Sequence, residues 1–280
     1  MKRHIAGIIP VSGRALDFNM PWHDSLMPLA PDYLLVQRAV AECAYAGCST
    51  IWIVCRDDIQ PLIRHQVGEK IQDPVYVYRH FEKAKDGFQK PIRIYYVPLS
   101  IRDLNKRDCL AYGAIYGALS ARKIMGSLSG HLAPDLYYVS WPYGYYNPEH
   151  VRAHRKTIAE GEVLLSYNNQ TVKDNLYLGL CMSNKQVDFL QSDIKKKSTG
   201  LWLDPELRDK RLPLHERYSY RNFNLAEVFD TLNDTNNCVE IDEYYNLDNW
   251  SNYCEFIENN KNVQKPAILS YAEWNEVGFD

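Results

Sequence analysis

The residues best suited to chemistry in this chain follow its first apolar run. Residues 5–11, IAGIIPV, are typical of a buried strand, and Ser12, Gly13 and Arg14 come directly after it. In an open α/β sheet, ligands sit in the crevice outside the carboxyl ends of the strands. The backbone N–H groups of a Ser-Gly turn and the guanidinium fork of an arginine suit a phosphate or pyrophosphate. The sequence therefore predicts a phosphate site here, although a surface loop that only closes the strand fits the same pattern.

Other groups of reactive side chains favour structural interpretations. Asp57 and Asp58 resemble a metal-binding turn, but two acids also suit the first turn of a helix. His150 and His154 stand four residues apart, and no third metal ligand is evident beside them. The lysine run at residues 195–197 is typical of a solvated face. The seven cysteines lack Cys-x-x-Cys spacing, which is typical of free thiols in a reducing compartment.

Length and charge exclude several classes of protein. The 280 residues are 46% hydrophobic, which is enough for a full core in one large domain. A net charge of −3 argues against general binding of nucleic acid, which needs clustered cationic surface. No apolar run approaches the roughly 20 residues that cross a bilayer, and the apolar run at the amino terminus is too short for a signal peptide. We therefore expect a cytoplasmic protein without a membrane segment.

Hydrophobic periodicity predicts an α/β fold in which strands and helices alternate. The strand at 5–11, a helix at 33–46 and a strand at 49–55 form a βαβ unit, whose strands should be parallel. A helix at 108–124 carries small residues on one face, which would let it approach the sheet closely. Further strands are predicted at 75–79, 92–97, 136–140, 163–167, 175–181 and 238–241. Further helices are predicted at 57–67, 149–160, 225–232 and 250–259.

The same patterns predict one domain over residues 1–260 and a C-terminal tail over 261–280. Within the domain, residues 193–222 are charged and interrupted by Gly and Pro, which favours an excursion from the core. The string WPYGYYNPEH at residues 141–150 follows a predicted strand and forms a second loop at the functional edge of the sheet.

Several local strings resemble the sugar-phosphate nucleotidyltransferases, which make nucleotide-sugars from a nucleoside triphosphate and a sugar 1-phosphate. In that family, the first strand runs into a Gly-rich turn that ends in Thr-Arg-Leu, and a Lys-Pro-Leu-Leu-Pro-Val string places its lysine ten residues after the arginine. Here Arg14 stands at the arginine, and residues 24–29, DSLMPL, stand at the second string. Residues 33–55 resemble the family's first helix and second strand, and residues 244–253 lie over its Trp-x-Asp-x-Gly-Thr-Pro-x-x-Tyr string. The resemblance spans about residues 5 to 258.

This resemblance implies a Rossmann-like nucleotidyltransferase fold of the GT-A type, with a mixed, mostly parallel sheet flanked by helices. It implies Mg²⁺ as a cofactor and a nucleotide or nucleotide-sugar as the ligand. The residues implied to bind the nucleotide or its phosphates are Ser12, Gly13, Arg14, Asp108, Trp141 and Tyr143. The residues predicted to be catalytic are Arg14, which the resemblance implies, and His23 and Asp24, which a flexible loop can present from new positions.

The chain departs from the family pattern at three charged positions. Asp24 replaces the lysine that steadies the phosphates, which reverses the charge beside an anionic substrate. Trp141, Pro142 and Tyr143 stand in place of the metal-binding aspartate after the fifth strand, and Asn246 replaces a second metal aspartate. Phosphoryl transfer of this type depends on positioning and on neutralising charge with Mg²⁺ and cationic side chains. These departures predict a large loss of rate relative to an ordinary pyrophosphorylase.

Three functions remain open at this point. In the first, the protein binds a nucleotide or nucleotide-sugar with altered or weak transferase chemistry, and Asp17, His23 and Asp24 supply a re-sited metal site or an acid–base pair. In the second, it is a nucleotide-sugar-dependent glycosyltransferase, although the Asp-x-Asp typical of such enzymes is not found at residues 140–142. In the third, it is a pseudoenzyme, an inactive scaffold or regulatory protein. Its partner, another protein or a second copy, would then bind exposed aromatics of residues 141–148 and of the tail.

Overall fold

A computed structural model describes residues 3–11, 18, 20–74, 91–100, 103, 109–200, 223–232 and 237–269. The strands in these ranges are β1 (Ile5–Pro10), β2 (Pro28–Ala30), β3 (Tyr33–Leu34), β4 (Thr50–Cys55), β5 (Lys70–Ile71), β6 (Ile92–Pro98), β7 (Leu136–Val139), β8 (Gly144–Tyr145), β9 (Val163–Ser166), β10 (Leu180–Ser183), β11 (Cys238–Glu240) and β12 (Tyr245–Asn246). The α-helices are α1 (Leu35–Ala46), α2 (Gln60–Val67), α3 (Leu110–Leu128), α4 (His150–Ala153), α5 (Arg155–Glu160), α6 (Asn184–Gly200), α7 (Leu225–Phe229) and α8 (Trp250–Asn259).

Eight of these strands form one mixed sheet, in the order β11-β9-β10-β7-β1-β4-β6-β5. The central strand β1 is parallel to both of its neighbours, with Ile8 opposite Trp52 of β4 and Val139 of β7. β6 continues the parallel series beside β4, whereas β5 and β10 run antiparallel to their neighbours. The sheet is therefore mixed and mostly parallel, with helices on its two faces, as the sequence predicts.

The two faces of the sheet carry separate apolar layers. On one face, β1 and β4 direct Ile9 and Ile53 into a layer that includes the apolar side of α1 and Phe256 of α8. On the other face, Ile8 and Trp52 pack in a layer with α3, α6 and α7. Successive side chains of a strand point to opposite faces of the sheet, and here both faces are covered. Every side chain of β1 and β4 is therefore buried, which explains why both strands are apolar throughout.

Helix α3 approaches the sheet closely at Gly117. A Cβ atom at this position would lie 2.6 Å from Ile8 Cγ2 and 2.7 Å from Val54 Cγ2. The small residues of α3 at 111, 114, 118 and 121 are also fully buried. The close contact predicted from the small-residue face is thus present, and α3 begins at Leu110 at the carboxyl edge of the sheet.

The chain between β1 and α1 differs from the prediction. A helix was expected from residue 33, but residues 28–34 form a short β2–β3 hairpin and α1 begins at Leu35. The hairpin turn contains Asp32, whose φ of 55° lies in the left-handed region. The polar Pro-Asp pair therefore makes a tight turn and does not cap the helix.

Two further helices start or break at unexpected residues. α2 begins at Gln60, because Asp58 forms an ion pair with Arg56 and Pro61 occupies the first helical turn. The acidic pair at 57–58 therefore precedes the helix. The helix expected over 149–160 is divided at His154 into α4 and α5.

Three strand and loop predictions shift or fall outside the described part of the chain. The strand expected over 175–181 is displaced to Leu180–Ser183, since residues 172–174 form a 3-10 turn. The start of the predicted excursion at 193–222 belongs to helix α6, which runs to Gly200. The strand predicted at 75–79 and residues 201–222 lie outside the described residues. None of the helices in the described ranges is both long and apolar enough to cross a membrane.

Candidate functional site

The carboxyl ends of the parallel strands bring the candidate residues to one edge of the sheet. The hydrogen bonding of β1 continues past its end, with Val11 N donating to Val54 O at 2.8 Å and Ser140 N donating to Ile8 O at 3.0 Å. The phosphate-binding residues predicted from the sequence follow directly after Val11. Ser12, Gly13, Arg14, Asp17 and Asp108 lie outside the described residues, so their roles remain predictions.

His23 is held by the short 3-10 turn that follows this loop. It caps the turn at Asp24–Leu26, with its Nδ1 accepting the backbone N–H of Ser25 at 3.3 Å and lying 2.9 Å from Ser25 Oγ. Burial lowers the pKa of His23 to about 4; the nearby Asp58 carboxylate raises it and the Arg56 guanidinium lowers it further. The ring is therefore neutral at pH 7. Since Nδ1 accepts a hydrogen bond, the proton belongs on Nε2, and the side chain is a hydrogen-bond donor there.

Arg56 brings a cationic group to this edge, directly after β4. Its Nε and Nη2 donate to the two carboxylate oxygens of Asp58 at 3.2 and 3.0 Å. This bidentate pair fixes the orientation of the guanidinium, which stays half exposed. The sequence analysis did not single out Arg56, although its position after a buried strand was a usable signal.

Asp24 points toward the protein and not into solvent. It is 5% exposed and lies close enough to Tyr143 to raise the pKa of that phenol, together with the larger effect of burial. A carboxylate next to a neutral phenol inside the protein is poorly placed to replace the missing phosphate-binding lysine. The Asp24 side chain is therefore buried at the edge of the core. Its acid–base partnership with His23 remains a prediction.

Trp141 and Tyr143, which the sequence predicts to stack on a ligand, are both core residues. The Trp141 indole is 0% exposed, its N–H donates to Leu178 O at 2.9 Å, and its ring packs edge-on against Tyr177 and Phe229. Tyr143 is similarly buried and packs edge-on against Tyr177. Neither ring offers an open face for a sugar or base. The exposed aromatics that a partner interface would need at residues 141–148 are likewise not exposed at Trp141, Tyr143 or Tyr146.

A buried ion pair lies directly beneath Trp141. Arg38 and Glu42, one helical turn apart on α1, are fully buried and form a salt bridge of 2.9 Å. Arg38 Nη2 also donates to the carbonyl oxygen of Trp141 at 2.6 Å, and its guanidinium lies 4.7 Å from the centroid of the Tyr146 ring. The positive charge of Arg38 is therefore internal and already paired.

The Glu42 carboxylate accepts hydrogen bonds from three hydroxyl groups besides the Arg38 guanidinium. Its Oε1 accepts from Tyr138, at 2.6 Å, and from Tyr146, and its Oε2 accepts from Ser140. Burial raises the pKa values of Tyr138 and Tyr146, and the nearby Glu42 charge raises them further, so both phenols stay protonated as donors. We call these residues the Glu42 network: Arg38, Glu42, Tyr138, Ser140 and Tyr146.

The residues present do not fit the two-carboxylate Mg²⁺ site of the family. β12 pairs with β8 so that Asn246 lies opposite Gly144, and Leu247 N donates to Tyr143 O at 2.8 Å. The two stretches that would carry the metal aspartates are therefore adjacent, but Trp141 and Asn246 bring no carboxylate. Within the described ranges, no three His, Cys, Asp or Glu side chains are grouped closely enough to hold a metal ion. His150, half of the predicted His pair, lies 3.8 Å from Asp242.

Two other tryptophans are exposed near this edge. Trp22 is 46% exposed and its indole N–H donates to Met27 Sδ at 3.3 Å. Trp250, the first residue of α8, is 43% exposed; it meets Phe18 edge-on at 6.2 Å and stacks on Tyr253 at 5.6 Å. Tyr253 in turn donates to Pro28 O at 2.7 Å, which ties α8 to the loop that carries Trp22 and His23. Among the described residues, these two rings are the exposed aromatics near this edge, and the sequence analysis assigned neither of them to a ligand.

Comparison with known proteins connects this geometry to a fold. No protein-family model and no curated protein sequence matches the chain. A solved structure of a candidate glucose-1-phosphate thymidylyltransferase from Bacillus anthracis, in complex with a sucrose, is similar with a TM-score of 0.57 and 9% identity, over 95% of this chain and 99% of that one. A UDP-glucose pyrophosphorylase complexed with UDP-glucose is similar with a TM-score of 0.53 and 12% identity, over 91% of this chain and 98% of that one.

A protein from Mycobacterium tuberculosis H37Rv, Rv0371c, is similar with a TM-score of 0.50 and 12% identity, over 92% of this chain and all of that one. Identities this low establish the fold and leave the chemistry to be argued from the site. They do confirm the structural resemblance inferred from the order of elements and from the spacing around Arg14. The chain has the nucleotidyltransferase-like fold over almost its whole length, and its sequence is a divergent example of that fold.

Proposed function

We propose that the protein binds a nucleotide or nucleotide-sugar at the carboxyl edge of its sheet, with transferase chemistry that is weak or altered relative to a pyrophosphorylase. The observation that carries the altered chemistry is the buried Trp141, which stands where the family has a metal carboxylate and donates its indole N–H to Leu178 O. The proposal of binding is supported by the fold, since one similar protein is a UDP-glucose pyrophosphorylase complexed with UDP-glucose.

In this proposal, the phosphates meet groups from two strand ends. Arg14 and the backbone N–H groups of Ser12 and Gly13 would hold one phosphate, as the sequence predicts. His23 would donate from Nε2, and the Asp58-oriented Arg56 guanidinium would add a second cation at the end of β4. A neutral imidazole can donate its N–H to an anion without first binding a proton. This arrangement neutralises charge with side chains and does not use the family's metal carboxylates.

The base or sugar would stack on exposed rings at the same edge. Trp22 and Trp250 are half exposed and lie on two segments that are joined by the Tyr253–Pro28 hydrogen bond. Stacking of a base on an aromatic side chain is worth roughly 1–3 kcal/mol. We therefore assign to these two residues the stacking role that the sequence analysis gave to Trp141 and Tyr143.

A thermal-shift and calorimetric titration tests the proposal. UDP, UDP-glucose, dTDP-glucose and the nucleoside triphosphates would be titrated into the wild type and into Arg14→Ala, each with Mg²⁺ and with a chelator. Arg122→Ala is the matched control, because Arg122 pairs with Asp188 near the C-terminal end of α3, far along the helix from the carboxyl edge. A ligand at 100 times its dissociation constant should add about 2.7 kcal/mol of stability.

We expect one class of nucleotide to stabilise the wild type and Arg122→Ala equally, with the shift lost in Arg14→Ala and unchanged by the chelator. Formation of a nucleoside triphosphate from the nucleotide-sugar and pyrophosphate should be far slower than in a pyrophosphorylase. The absence of a shift with every nucleotide would overturn the proposal. A fast, Mg²⁺-dependent pyrophosphorylase reaction would overturn its chemical part.

A second candidate function is a scaffold without a ligand at this edge. It is favoured by the same Trp141, because the ring occupies core volume next to the position of the lost carboxylate. Among the described residues, the most exposed large apolar side chains are Leu128 on α3 and Phe189 on α6. If no nucleotide binds, a self-association measurement by sedimentation would be the first test of a second copy as the partner.

A further inference from the structure

The end of strand β4 carries two carboxylates next to the guanidinium that the proposed phosphate site uses. Asp57 and Asp58 follow Arg56 directly, and all three residues are exposed. Ile59 N and Gln60 N both donate to Arg56 O, at 3.2 and 3.0 Å, so these residues form one tight turn at the strand end. The two carboxylates are therefore held at the edge of the sheet where the phosphates are proposed to bind.

The positive charge of Arg56 is already compensated within this turn. Its Nε and Nη2 donate to the two carboxylate oxygens of Asp58 at 3.2 and 3.0 Å, and Asp57 adds a further negative charge. His23 supplies no compensating charge, because burial lowers its pKa to about 4 and its ring is neutral at pH 7. Together, the described residues that would meet the phosphates carry more negative than positive charge.

The charges of both carboxylates act on the groups around them. Burial, followed by the charges of Asp57 and Asp58, raises the pKa of Cys55, the last residue of β4, to about 12. The Asp58 carboxylate also raises the pKa of His23, against the larger effect of burial. Asp24 follows His23 directly and brings a third carboxyl group to that loop. Both segments that would hold the phosphates, the His23 loop and the end of β4, therefore experience negative charge.

Ligands that share one base differ in how strongly this charge repels them. A nucleoside triphosphate carries about two more negative charges than the corresponding nucleotide-sugar, because its additional terminal phosphate is almost fully ionised at pH 7. Repulsion from a carboxylate grows in proportion to the charge of the ligand. Each carboxylate at this edge therefore weakens binding of a triphosphate more than binding of a nucleotide-sugar. In a site lined by cations, by contrast, every added phosphate is attracted.

We propose that the carboxyl edge selects nucleotide-sugars and disfavours free nucleoside triphosphates, and that Asp57 and Asp58 determine this selectivity. The proposal rests on the function proposed above, and it specifies which class of nucleotide the site holds. The predicted phosphate site at Arg14 remains the attractive element. The carboxylates at the end of β4 set an upper limit on the ligand charge that this site tolerates.

Calorimetric titration of the full chain with two matched pairs of ligands tests this selectivity. The pairs are UDP-glucose with UTP and dTDP-glucose with dTTP, each titrated at low ionic strength with a chelator of divalent cations. In the wild type, the nucleotide-sugar of at least one pair should bind about tenfold more tightly than its triphosphate, which corresponds to about 1.4 kcal/mol. The ratio of the two dissociation constants is the readout, because changes that affect both ligands equally cancel in it.

Asp57→Asn is the most direct variant, because it removes one charge and leaves the ion pair between Arg56 and Asp58 in place. It should reduce the ratio about fivefold by strengthening triphosphate binding. Asp188→Asn is the matched control, since Asp188 is a similarly exposed carboxylate that pairs with Arg122, far along α3 from this edge. Its ratio should equal that of the wild type, and circular dichroism should show that both variants are folded.

Asp58→Asn and added salt provide two further measurements. Asp58→Asn should also lower the ratio, and it leaves His23 neutral, because loss of the carboxylate lowers the pKa of that ring further. At about 1 M salt the screening length is about 3 Å, so the wild-type ratio should fall as well. A preference that came only from contacts with the sugar would persist at this salt concentration.

The outcomes separate this proposal from the function proposed above. Triphosphate binding that equals or exceeds nucleotide-sugar binding in the wild type would overturn the selectivity and leave nucleotide binding intact. A ratio that is unchanged both in Asp57→Asn and at high salt would overturn it too. If neither nucleotide-sugar binds, this proposal is also overturned, and the proposed function fails only when every other nucleotide leaves the protein unchanged.

Discussion

The Glu42 network and the loop that carries His23 use similar polar side chains in opposite ways. In the network, the Glu42 carboxylate accepts from Arg38 and from three hydroxyl groups, and every partner is internal. In the loop, His23 has one nitrogen bonded to its own turn, and the adjacent Arg56 and Trp22 stay half exposed. The internal hydrogen bonds to the Glu42 carboxylate give structure, although Arg38 Nε and Nη1 have no hydrogen-bond partner among the described residues. Partly used groups at a surface can still bind a ligand.

The same contrast separates the tryptophans. Trp141 contributes its indole N–H and all of its ring area to the core, while Trp250 packs only part of its ring on Phe18 and Tyr253. The residue that the nucleotidyltransferase pattern places at the metal site has thus become structural. The rings to which we assign ligand stacking, Trp22 and Trp250, lie instead on a loop and at the start of α8, and both are about half exposed.

The largest effect should come from removing the charge at the centre of the network. Glu42→Ala would leave the Arg38 guanidinium buried without its counter-ion and remove the acceptor of three hydroxyl groups, which should cost about 3–5 kcal/mol of unfolding free energy. Urea denaturation measures this loss. Glu69→Ala, which breaks an exposed ion pair with Arg64, is the control and should change stability little. A small loss in Glu42→Ala would mean that the network is hydrated and does not behave as core.

The loop should respond to pH through His23. Its pKa of about 4 lies below the ordinary value of 6.5, so between these two pH values the unfolded chain binds a proton that the folded protein does not. Stability is therefore fully present above pH 6.5 and should decrease as the pH falls toward 4, by up to about 3 kcal/mol. Unfolding measured from pH 7.5 to 4 tests this.

His23→Gln is the matched variant, because it keeps a polar side chain that does not titrate. Its stability should vary less over the same pH interval. Direct titration of the His23 ring by NMR is the stricter measurement, and a pKa near 6.5 would contradict the buried, neutral ring.

The smallest effects should separate the two tryptophans. Trp141→Phe keeps an aromatic ring but leaves Leu178 O without its buried donor, which should cost about 1–2 kcal/mol of stability. Trp250→Ala should change stability little and instead weaken binding of the nucleotide ligand by roughly tenfold, the loss of about 1.4 kcal/mol of stacking. If Trp250→Ala binds normally while Trp22→Ala does not, the stacking role belongs to Trp22 alone.

Sequence reasoning found most of the fold because its signals are local. The apolar runs of β1 and β4 and the small-residue face around Gly117 predicted strands and a close helix without knowledge of their partners. The burial of Trp141 could not be predicted in this way. Its string is rich in Pro, Gly and Asn, which locally favours an exposed loop, and the residues that cover it, such as Leu178 and Phe229, come from about 40 to 90 positions later.

Arg38 and Glu42 were missed for a related reason. Opposite charges four residues apart usually mark a solvated helix face. Here they are buried because Tyr138 of the distant strand β7 and Ser140, which follows that strand, supply hydroxyl donors to Glu42. The usable signal was that both charges fall among apolar residues on every side of α1. The catalytic roles predicted for His23 and Asp24 remain predictions, and the tautomer of the first and the core contact of the second depend on packing.

The span of the Glu42 network also bears on how the chain is made. The hydroxyl partners of Glu42 lie 96, 98 and 104 residues after it, so the carboxylate has no internal hydroxyl donor until that length has left the ribosome. At about 5–20 residues per second, the interval is roughly 5–20 s. During this interval, the Arg38–Glu42 pair on α1 must stay in contact with water, although the face of α1 that carries it becomes buried in the folded protein. Central strand β1 likewise lacks its β7 neighbour, so we expect the nascent amino-terminal half to be a substrate for chaperones.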